Sequence, residues 1–589
     1  MPRLTAGRRV VDSLERGGVR HAFTVPGESF LEVLDALRDS SIRLVATRHE
    51  AGAGFMAEGY AQLTGRPAVC LVTRAVGTAN LSIALHTARA DSAPLVAIAG
   101  QVPRSLRGRE AFQEADLVST FGGLCKAAAE LDDPATIGEA VAALVRQATD
   151  GRPGPVLLSL PEDVLLEEAG EENSTGHATP DAFGVPSAGP ETPDREAVAT
   201  ILRRLVTARR PVVLAGAGVL RARAVADLVA FAEAADVPVM SAWRRPDVFP
   251  NDSPRYLGST GLSAPRNVRR QLLDADVVLA LGTRLSEVAT FEYAVPAETT
   301  TLLHVDVEPL PAAPERQASG NEGVERPTAP VEPLPGARPR PPAVSLRADT
   351  RAFLTSALEL LRADPGLRPP DRSGQIAGDR AAYLAASELP ETGPRHPGDP
   401  VHPASIVGAL ARRMPPDAIV VTDAGNFAGW AARHLRLPPG ARFLGPTSGA
   451  MGYALPAAIG AGIAARDVEG RPRRAIALAG DGGLAMLMAE LETAVRERLP
   501  LTVVAFDNGM YGTIRMHQER AHPGRVAGTD LGRIDFARVA QACGARGIRV
   551  EHDRDVDAAI CEALEAPGTS LVHALTDPRV LSVDETLPG

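Results

Sequence analysis

Lysine is almost absent from this chain of 589 residues, because Lys126 is the one lysine among its 62 basic residues. A nucleotide-binding P-loop ends in Gly-Lys-Ser or Gly-Lys-Thr, and a pyridoxal enzyme needs a lysine for its Schiff base. Lys126 stands in LCKAAAE, and no P-loop sequence surrounds it. The shortage of lysine therefore argues against both kinds of chemistry.

The chain has no excess of basic residues, and it contains few aromatic residues and few cysteines. The net charge is −10 and aromatic residues make up 4% of the chain, whereas nucleic-acid binding needs basic charge and rings for stacking. No nucleic-acid partner is expected.

The four cysteines are too far apart in sequence for a Cys-x-x-Cys metal site or a disulfide framework. They are interpreted as reduced, mostly core residues of a cytoplasmic protein.

The chain also lacks a long apolar run. Its first residues return to charged side chains before an apolar stretch forms, so no secretory signal is predicted. The long uncharged stretch at 445–465 contains two prolines and five glycines, which make it too weakly apolar to span a membrane. It predicts a buried, Gly/Ala-rich loop and helix, and no membrane association is expected.

Two stretches rich in Pro and Gly, at 167–196 and 363–403, are predicted as linkers that divide the chain into thirds. Each third alternates short β-branched runs, such as AVCLVT and LTVVAF, with Ala-rich helical stretches. This pattern predicts an α/β fold of three doubly wound domains with parallel sheets, at 1–168, 192–362 and 400–580. A Pro-rich surface insert is predicted at about 308–342 within the central domain.

The strongest chemical signal is a strand–helix–strand unit at 474–512. A strand runs into Gly480-Asp481-Gly482-Gly483, a helix with regularly spaced apolar residues follows, and a second strand ends at Asp507-Asn508. A right-handed crossover makes the two strands parallel, so Asp481 and Asn508 emerge at one edge of the sheet. A carboxylate and an amide oxygen beside glycine amides suit Mg²⁺ bound to a diphosphate.

This combination resembles the thiamine diphosphate (ThDP) motif, in which Gly-Asp-Gly is followed by Asn-Asn. The resemblance implies that Asp481, Asn508 and the carbonyl of Met510 bind Mg²⁺. Asp507 replaces the first asparagine of the usual motif. That position is not normally a metal ligand, so metal binding is expected to survive.

The family also implies a catalytic acid in the first third. ThDP chemistry needs a carboxylic acid beside N1′ of the aminopyrimidine, where proton exchange generates the imino form that removes the C2 proton. The family places this glutamate between a strand and a helix; here IRLVATRHE is predicted as a strand ending at Glu50 and AGAGFMAEGYAQLTG as the helix. Glu50 is therefore the implied acid. The alternative is an ordinary glutamate at a helix N-terminus, but the flanking VPGES and RHEAGAGFMAEGYA favour the catalytic role.

Further segments resemble acetohydroxyacid (acetolactate) synthase and its relatives, including benzaldehyde lyase: GQVPRSLRGREAFQE, SLPEDVLLE, HVDVEP and GAMGYALPAAIGA. The three domains would then be pyrimidine-binding, central and diphosphate-binding. The resemblance implies that Gln113 lines the reaction site and that Met451 supports the bent cofactor. It implies further cofactor contacts at Gly27, Asn426, Gly449, Gly480, Gly482, Gly483 and Tyr511.

In this family the first domain of one subunit presents its glutamate to the cofactor held by the third domain of another. The resemblance therefore implies a homodimer or homotetramer with its active site at the interface. The synthases carry FAD in the central domain without redox use. Because the Pro-rich insert falls in that domain, FAD is not expected here.

Three departures concern substrate recognition. Glu162 stands where the synthases carry a lysine, and GTRLSEVATFEY lacks the Asp-Arg of Gly-x-Arg-Phe-Asp-Asp-Arg. The synthase loop TSGPGATN reads TRAVGTAN, which introduces Arg74. Arg74 either binds a substrate carboxylate or is a surface arginine or the partner of a nearby acid. His86, His517 and Gln518 are further candidate polar groups. The first two departures argue against authentic acetolactate synthesis.

The sequence therefore predicts a ThDP- and Mg²⁺-dependent C–C bond enzyme, acetolactate synthase-like, that decarboxylates a 2-oxo acid, ligates the enamine to a second carbonyl, or does both. Its substrates would be small 2-oxo acids, aldehydes or hydroxyketones. Two alternatives stay open: a benzaldehyde lyase-like 2-hydroxyketone lyase and carboligase, and a catalytically degenerate ThDP-binding paralogue.

Overall fold

The computed structural model describes residues 4–169, 192–310, 341–390 and 398–587. These residues form three six-stranded sheets, in which every strand pairing is parallel. The central strands are mostly apolar and are buried along their whole length, as parallel sheets covered by helices require. The predicted α/β class with three doubly wound domains is confirmed.

The first sheet has the strand order β2-β1-β3-β4-β6-β5. Its strands are β1 (His21–Thr24), β2 (Arg43–Ala46), β3 (Ala68–Thr73), β4 (Leu95–Gln101), β5 (Ala127–Glu130) and β6 (Val156–Pro161). Its helices are α1 (Ala6–Arg16), α2 (Leu31–Arg38), α3 (Glu50–Thr64), α4 (Arg74–Asp91), α5 (Leu117–Phe121), α6 (Ile137–Thr149) and α7 (Glu162–Leu166).

The second sheet has the order β12-β11-β10-β7-β8-β9. Its strands are β7 (Pro211–Ala215), β8 (Val239–Ser241), β9 (Tyr256–Ser259), β10 (Val277–Leu281), β11 (Thr301–Asp306) and β12 (Val344–Arg347). Its helices are α8 (Arg195–Thr207), α9 (Ala217–Arg221), α10 (Val225–Ala234), α11 (Arg266–Leu273), α12 (Thr350–Ala363) and α13 (Ser373–Ala386).

The third sheet, ordered β14-β13-β15-β16-β18-β17, repeats the topology of the first. Its strands are β13 (Ile419–Thr422), β14 (Arg442–Leu444), β15 (Ala475–Gly480), β16 (Leu501–Asp507), β17 (Arg546–Val550) and β18 (Ser570–Leu575). Its helices are α14 (Pro403–Arg413), α15 (Ala428–His434), α16 (Ala454–Asp467), α17 (Asp481–Leu487), α18 (Glu490–Arg496), α19 (Gly512–Ala521), α20 (Phe536–Ala542) and α21 (Val556–Glu565).

The first and third sheets belong to one compact unit, in which α3 packs against α16. The two helices approach closely at glycines: a Cβ at Gly460 would lie 1.9 Å from the Met56 carbonyl oxygen, and one at Gly59 would lie 2.3 Å from that of Ala457. Residues 454–465 are all buried, which confirms the buried helix predicted in the stretch 445–465. In the parts of the chain that the structure describes, no helix is both long and apolar enough to cross a membrane.

The second sheet forms a separate compact unit, made of the described residues within 189–389 and 432–439. Helix α13 lies in this unit, although residues 363–403 are predicted as a linker; its apolar Ile376 and Tyr383 are buried despite the Pro- and Arg-rich composition around them. The greater part of the first predicted linker, at 170–191, and of the predicted insert, at 311–340, lies outside the described residues.

Candidate active site

The carboxyl edge of the third sheet brings the predicted metal-binding residues together. Strands β15 and β16 are adjacent and parallel, so the residues that follow them emerge side by side. The Asp481 carboxylate accepts a hydrogen bond of 3.0 Å from the Gly509 amide. Asn508 Oδ1 accepts one of 3.2 Å from the Met510 amide. The Asp481 carboxylate, after β15, and the Asn508–Met510 turn, after β16, therefore lie side by side at the sheet edge.

A cavity of about 230 Å³ opens at this edge. Its lining includes the apolar side chains of Phe427, Trp430 and Leu581 and the glycine-rich turn that begins α17. The cavity is lined by every metal- or cofactor-binding residue that the sequence analysis predicts in the third domain: Asn426, Gly449, Met451, Gly480, Asp481, Gly482, Gly483, Asn508, Met510 and Tyr511. Their individual roles in binding stay predictions.

Two glycines of the turn cannot be replaced without displacing a neighbouring side chain. A Cβ at Gly482 would lie 2.6 Å from the ring of Tyr511, and one at Gly483 would lie 2.6 Å from an Asp423 carboxylate oxygen. At Gly449 the reason is the backbone, whose φ of 75° is one that L side chains rarely adopt. Gly482 and Gly483 thus let neighbouring side chains contact the backbone directly, and Gly449 permits the positive φ.

Asp481, which lines the cavity, lies next to a second carboxylate, that of Asp507. Burial, and then the charge of Asp507, raise the pKa of Asp481 well above its usual range. Burial also acts to raise the pKa of Asp507, but the hydrogen bond and charge of His573 outweigh it and keep that pKa low. His573 Nε2 lies 2.7 Å from Asp507 Oδ2, and both side chains are buried. His573 therefore compensates the extra carboxylate that Asp507 introduces.

This donor set fits a hard divalent cation. Asp481 is buried beside a second negative charge, which a bound cation would offset. Carboxylate, amide and peptide carbonyl oxygens are the ligands that Mg²⁺ accepts, with diphosphate oxygens completing its octahedron. Asp481, Asn508 and Met510 offer these three oxygen types at one edge of the cavity.

Sequence reasoning missed Asp423, which organises the cavity floor. This buried residue follows β13 at the same sheet edge, and its carboxylate accepts hydrogen bonds from Ala424 N at 2.8 Å, Gly452 N at 3.0 Å and Tyr453 N at 3.3 Å. It thereby fixes the loop that carries Gly449 and Met451. Its position directly after a predicted strand is the signal that could have found it.

Glu50 lies in the first domain and does not line this cavity. Strand β2 ends at Ala46, so the predicted strand is four residues too long, and Glu50 is the first residue of α3. Its half-buried carboxylate accepts a hydrogen bond of 3.0 Å from Asn80 Nδ2. A Cβ at Gly77 would lie 3.5 Å from the same carboxylate, so α4 passes close beside it.

Glu490 contributes to the early end of β2. It is the second site-related residue that sequence reasoning missed. Glu490 is fully buried at the start of α18, and its carboxylate accepts the amides of Arg48 at 3.0 Å and His49 at 3.1 Å. These bonds turn the chain out of the strand and hold the start of α3. No local sequence pattern pairs residues so distant.

Gln113 and Gly27 also lie at the carboxyl edge of the first sheet, away from the cavity. Gln113 has a φ of 62°, and its carbonyl accepts a hydrogen bond of 3.3 Å from Ala75 N. Gly27 lies so close to Thr73 that a Cβ would reach 1.5 Å from its hydroxyl. The structure therefore brings ten predicted residues to the cavity and leaves the other three in the first domain.

Arg74 is the partner of a nearby acid, one of the alternatives left open by the sequence. Its side chain is 10% exposed, and Nη2 lies 3.2 Å from an oxygen of Glu162. The two departures from the synthase pattern in the first domain are thus one ion pair. His86 and His517 are exposed and, like Gln518, do not line the cavity.

Comparisons with known proteins match all three domains. The model of the thiamine pyrophosphate enzyme N-terminal TPP binding domain matches residues 4–120, that of the central domain 198–319, and that of the C-terminal TPP binding domain 423–574. The chain is 32% identical to an acetolactate synthase of Mycobacterium bovis over 94% of its own length and 85% of the relative's. It is 29% identical to the acetolactate synthase isozyme 3 large subunit of Escherichia coli over 100% and 96% of the two chains.

Proposed function

This chain belongs to the thiamine pyrophosphate enzyme family, and from that premise we propose that it decarboxylates a 2-oxo acid and joins the remaining acyl group to a second carbonyl compound. The membership confirms the resemblance to acetolactate synthase-like ThDP enzymes. The observation that carries the proposal is the cavity at the carboxyl edge of the third sheet, where a carboxylate and an amide oxygen meet glycine-rich backbone.

The residues of the cavity divide by chemistry. Asp481, Asn508 and the Met510 carbonyl would hold Mg²⁺, and the backbone of 480–483 would approach the diphosphate. Met451, on the loop fixed by Asp423, would support the thiamine rings by packing. When bound, thiamine diphosphate supplies a nucleophilic carbon that adds to the carbonyl group of the substrate.

Glu50 would exchange a proton with the aminopyrimidine nitrogen of the cofactor. Its carboxylate is oriented by Asn80 and by its place at the start of α3, which Glu490 holds. Gln113 would contribute a polar group to the reaction site from the same sheet edge. In this proposal, a residue of the first domain transfers the proton and residues of the third domain bind the cofactor.

A second copy of the chain would complete the site, as a homodimer or homotetramer. Glu50 and Gln113 do not line the cavity of their own chain. Large apolar side chains are exposed beside both halves: Val76 and Phe112 in the first domain, Met486 and Ile514 in the third. Burying such side chains between two copies would stabilise the assembly.

The experiment is reconstitution with ThDP and Mg²⁺, incubation with pyruvate, longer 2-oxo acids, benzaldehyde and benzoin, and identification of the products. We expect CO₂ release and a 2-hydroxyketone only when both cofactors are present. Cleavage of benzoin without CO₂ release from any 2-oxo acid would contradict the proposal in favour of a lyase.

Asp481→Asn should weaken Mg²⁺-dependent ThDP binding by about tenfold or more. Loss of a residue that only hydrogen-bonds a metal ligand already costs about tenfold, and Asp481 would be a ligand itself. Calorimetric titration of ThDP at fixed Mg²⁺ measures this. Asp557→Asn is the matched control, because it removes an exposed carboxylate of the same domain that pairs with Arg412 and Arg413. Equal ThDP affinity in the two variants would refute the metal assignment.

A further inference from the structure

A cluster of three charged side chains lies at the carboxyl edge of the first sheet. Arg74 follows β3, Glu162 follows β6 and Glu28 follows β1. The Arg74 guanidinium lies 3.2 Å from a carboxylate oxygen of Glu162 and 3.7 Å from one of Glu28. In an open parallel sheet, substrates bind at this edge.

The cluster touches the segments that carry both predicted catalytic residues of this domain. Arg74 Nη1 donates a hydrogen bond of 3.3 Å to the carbonyl of Phe112, which precedes Gln113. Arg74 is the first residue of α4, and Asn80 on the same helix donates to Glu50. The charges of the cluster therefore lie beside the place where the proposed reaction would occur.

Arg74 adopts a φ of 44°, a backbone conformation that an arginine holds only when its surroundings impose it. The next residue, Ala75, donates a backbone hydrogen bond of 3.3 Å to the Gln113 carbonyl, and the Arg74 side chain donates to the Phe112 carbonyl. Such strain is typical of residues whose side chain must be held at one place in a site.

The net charge of the cluster determines which substrates can bind beside it. One guanidinium faces two carboxylates, so the cluster carries a surplus of negative charge. The guanidinium is buried, whereas Glu162 is 34% exposed and Glu28 is 58% exposed. An approaching carboxylate would meet the two acids before it met the cation, and like charges brought together are penalised.

We propose that the cluster of Arg74, Glu162 and Glu28 selects an uncharged aldehyde or ketone, rather than a second 2-oxo acid, as the acceptor. This inference rests on the proposed function. The 2-oxo acid loses CO₂, its acyl carbon forms a C–C bond to the acceptor carbonyl carbon, and the acceptor oxygen takes up one proton. The product is a neutral 2-hydroxyketone.

The test is a competition between two acceptors that differ by a carboxylate. Reconstituted enzyme receives pyruvate labelled with carbon-13 in its acyl carbons, together with equal concentrations of propanal and 2-oxobutanoate. Mass spectrometry then measures which acceptor is joined to the label. Wild type should favour propanal by about tenfold or more, the discrimination expected of one uncompensated like-charge contact.

Glu162→Gln and Glu28→Gln should each raise the share of the 2-oxobutanoate product, and the double variant should raise it by about tenfold. Because Glu28 is well exposed, its variant keeps the test available if Glu162→Gln fails to fold. Glu167→Gln is the matched control: it removes the carboxylate directly after α7, which pairs with Arg104 rather than Arg74.

Equal use of both acceptors by wild type would overturn the inference, as would a shift in Glu167→Gln equal to that in Glu162→Gln. Preference for propanal that neither variant alters would overturn the assignment to this cluster. If no 2-oxo acid releases CO₂ at all, the proposed function fails and the inference fails with it.

Discussion

At the residue scale, the pairing of Asp507 with His573 explains how the turn proposed to bind the metal accommodates a second acid. Both side chains are almost completely buried, with 2.7 Å between Asp507 Oδ2 and His573 Nε2. A buried charge that loses its partner is costly, because desolvation is no longer offset. Asp507 and His573 therefore act as a pair, and neither is expected to change alone without a loss of stability.

We predict that His573→Ala lowers the free energy of unfolding by about 3 kcal/mol, the lower end of the cost of leaving one buried charge unpaired. Asp507→Asn removes the charge while keeping an oxygen for His573, and should cost about 1 kcal/mol. Urea denaturation of both variants measures the difference, and His517→Ala, which changes an exposed histidine, is the control. A loss in Asp507→Asn as large as in His573→Ala would contradict the pairing.

The same scale shows what the sequence could predict of the site. The position of Asp481 and Asn508 at one sheet edge was predictable, because one strand–helix–strand unit places both there. His573 and Glu490 were not, because each acts on a partner more than 60 residues away through a tertiary contact. Arg74 and Glu162 were both recognised as departures, but only the structure shows that they form one ion pair.

At the scale of elements, the crossing of α3 and α16 joins the helix that begins at Glu50 to the helix that follows the Met451 loop. The crossing depends on backbone contact, since Gly460 on α16 faces the Met56 carbonyl of α3. A side chain at this point would push the helices apart. The distance between the two domains of this unit is therefore set by small residues at the crossing.

We predict that Gly460→Ala destabilises the protein by about 3 kcal/mol, the cost of overpacking a close helix contact. Gly462→Ala on the same helix is the matched control, since its Cβ would lie 3.5 Å from Leu499 Cδ1, an ordinary contact. Alanine should be neutral there or stabilise the helix by about 0.5 kcal/mol. Thermal or urea unfolding distinguishes the two; equal stability of both variants would disprove the role of the crossing.

Element type was predictable from hydrophobic patterning, whereas element ends were not. AVCLVT forms β3 as predicted, because a continuous apolar run suits a strand buried on both faces. IRLVATRHE ends as a strand at Ala46: the Thr47 amide still bonds Thr24 of β1, but the amides of Arg48 and His49 bond Glu490 instead of a neighbouring strand. The predicted helix after Gly483 is two helices, α17 and α18, and the predicted linker 363–403 contains α13.

At the scale of the whole molecule, the predicted site has two halves that lie on different sheets of one compact unit. One half is the cavity of the third sheet; the other is Glu50 and Gln113 of the first sheet, which do not line that cavity. If a second copy supplies that half, two inactive variants can complement each other. Glu50→Gln and Asp481→Asn each disable a different half, so a mixed dimer retains one intact site.

We therefore predict that mixing the two inactive variants under conditions of subunit exchange restores about a quarter of wild-type activity, as random pairing in a dimer requires. At a ThDP concentration too low to occupy the weakened Asp481→Asn site, either variant on its own should stay inactive. The absence of any recovery, with exchange verified by tagged subunits, would place both halves of the site within one chain.

The central claim is that Glu50 is the acid of a ThDP-dependent reaction, and Glu50→Gln tests it most directly. Glutamine keeps the shape and the hydrogen bond to Asn80 but cannot exchange the proton. Turnover of a 2-oxo acid and Mg²⁺-dependent ThDP binding are measured on the same preparation. We predict that turnover is abolished while ThDP affinity stays close to that of wild type; undiminished turnover would contradict the assignment.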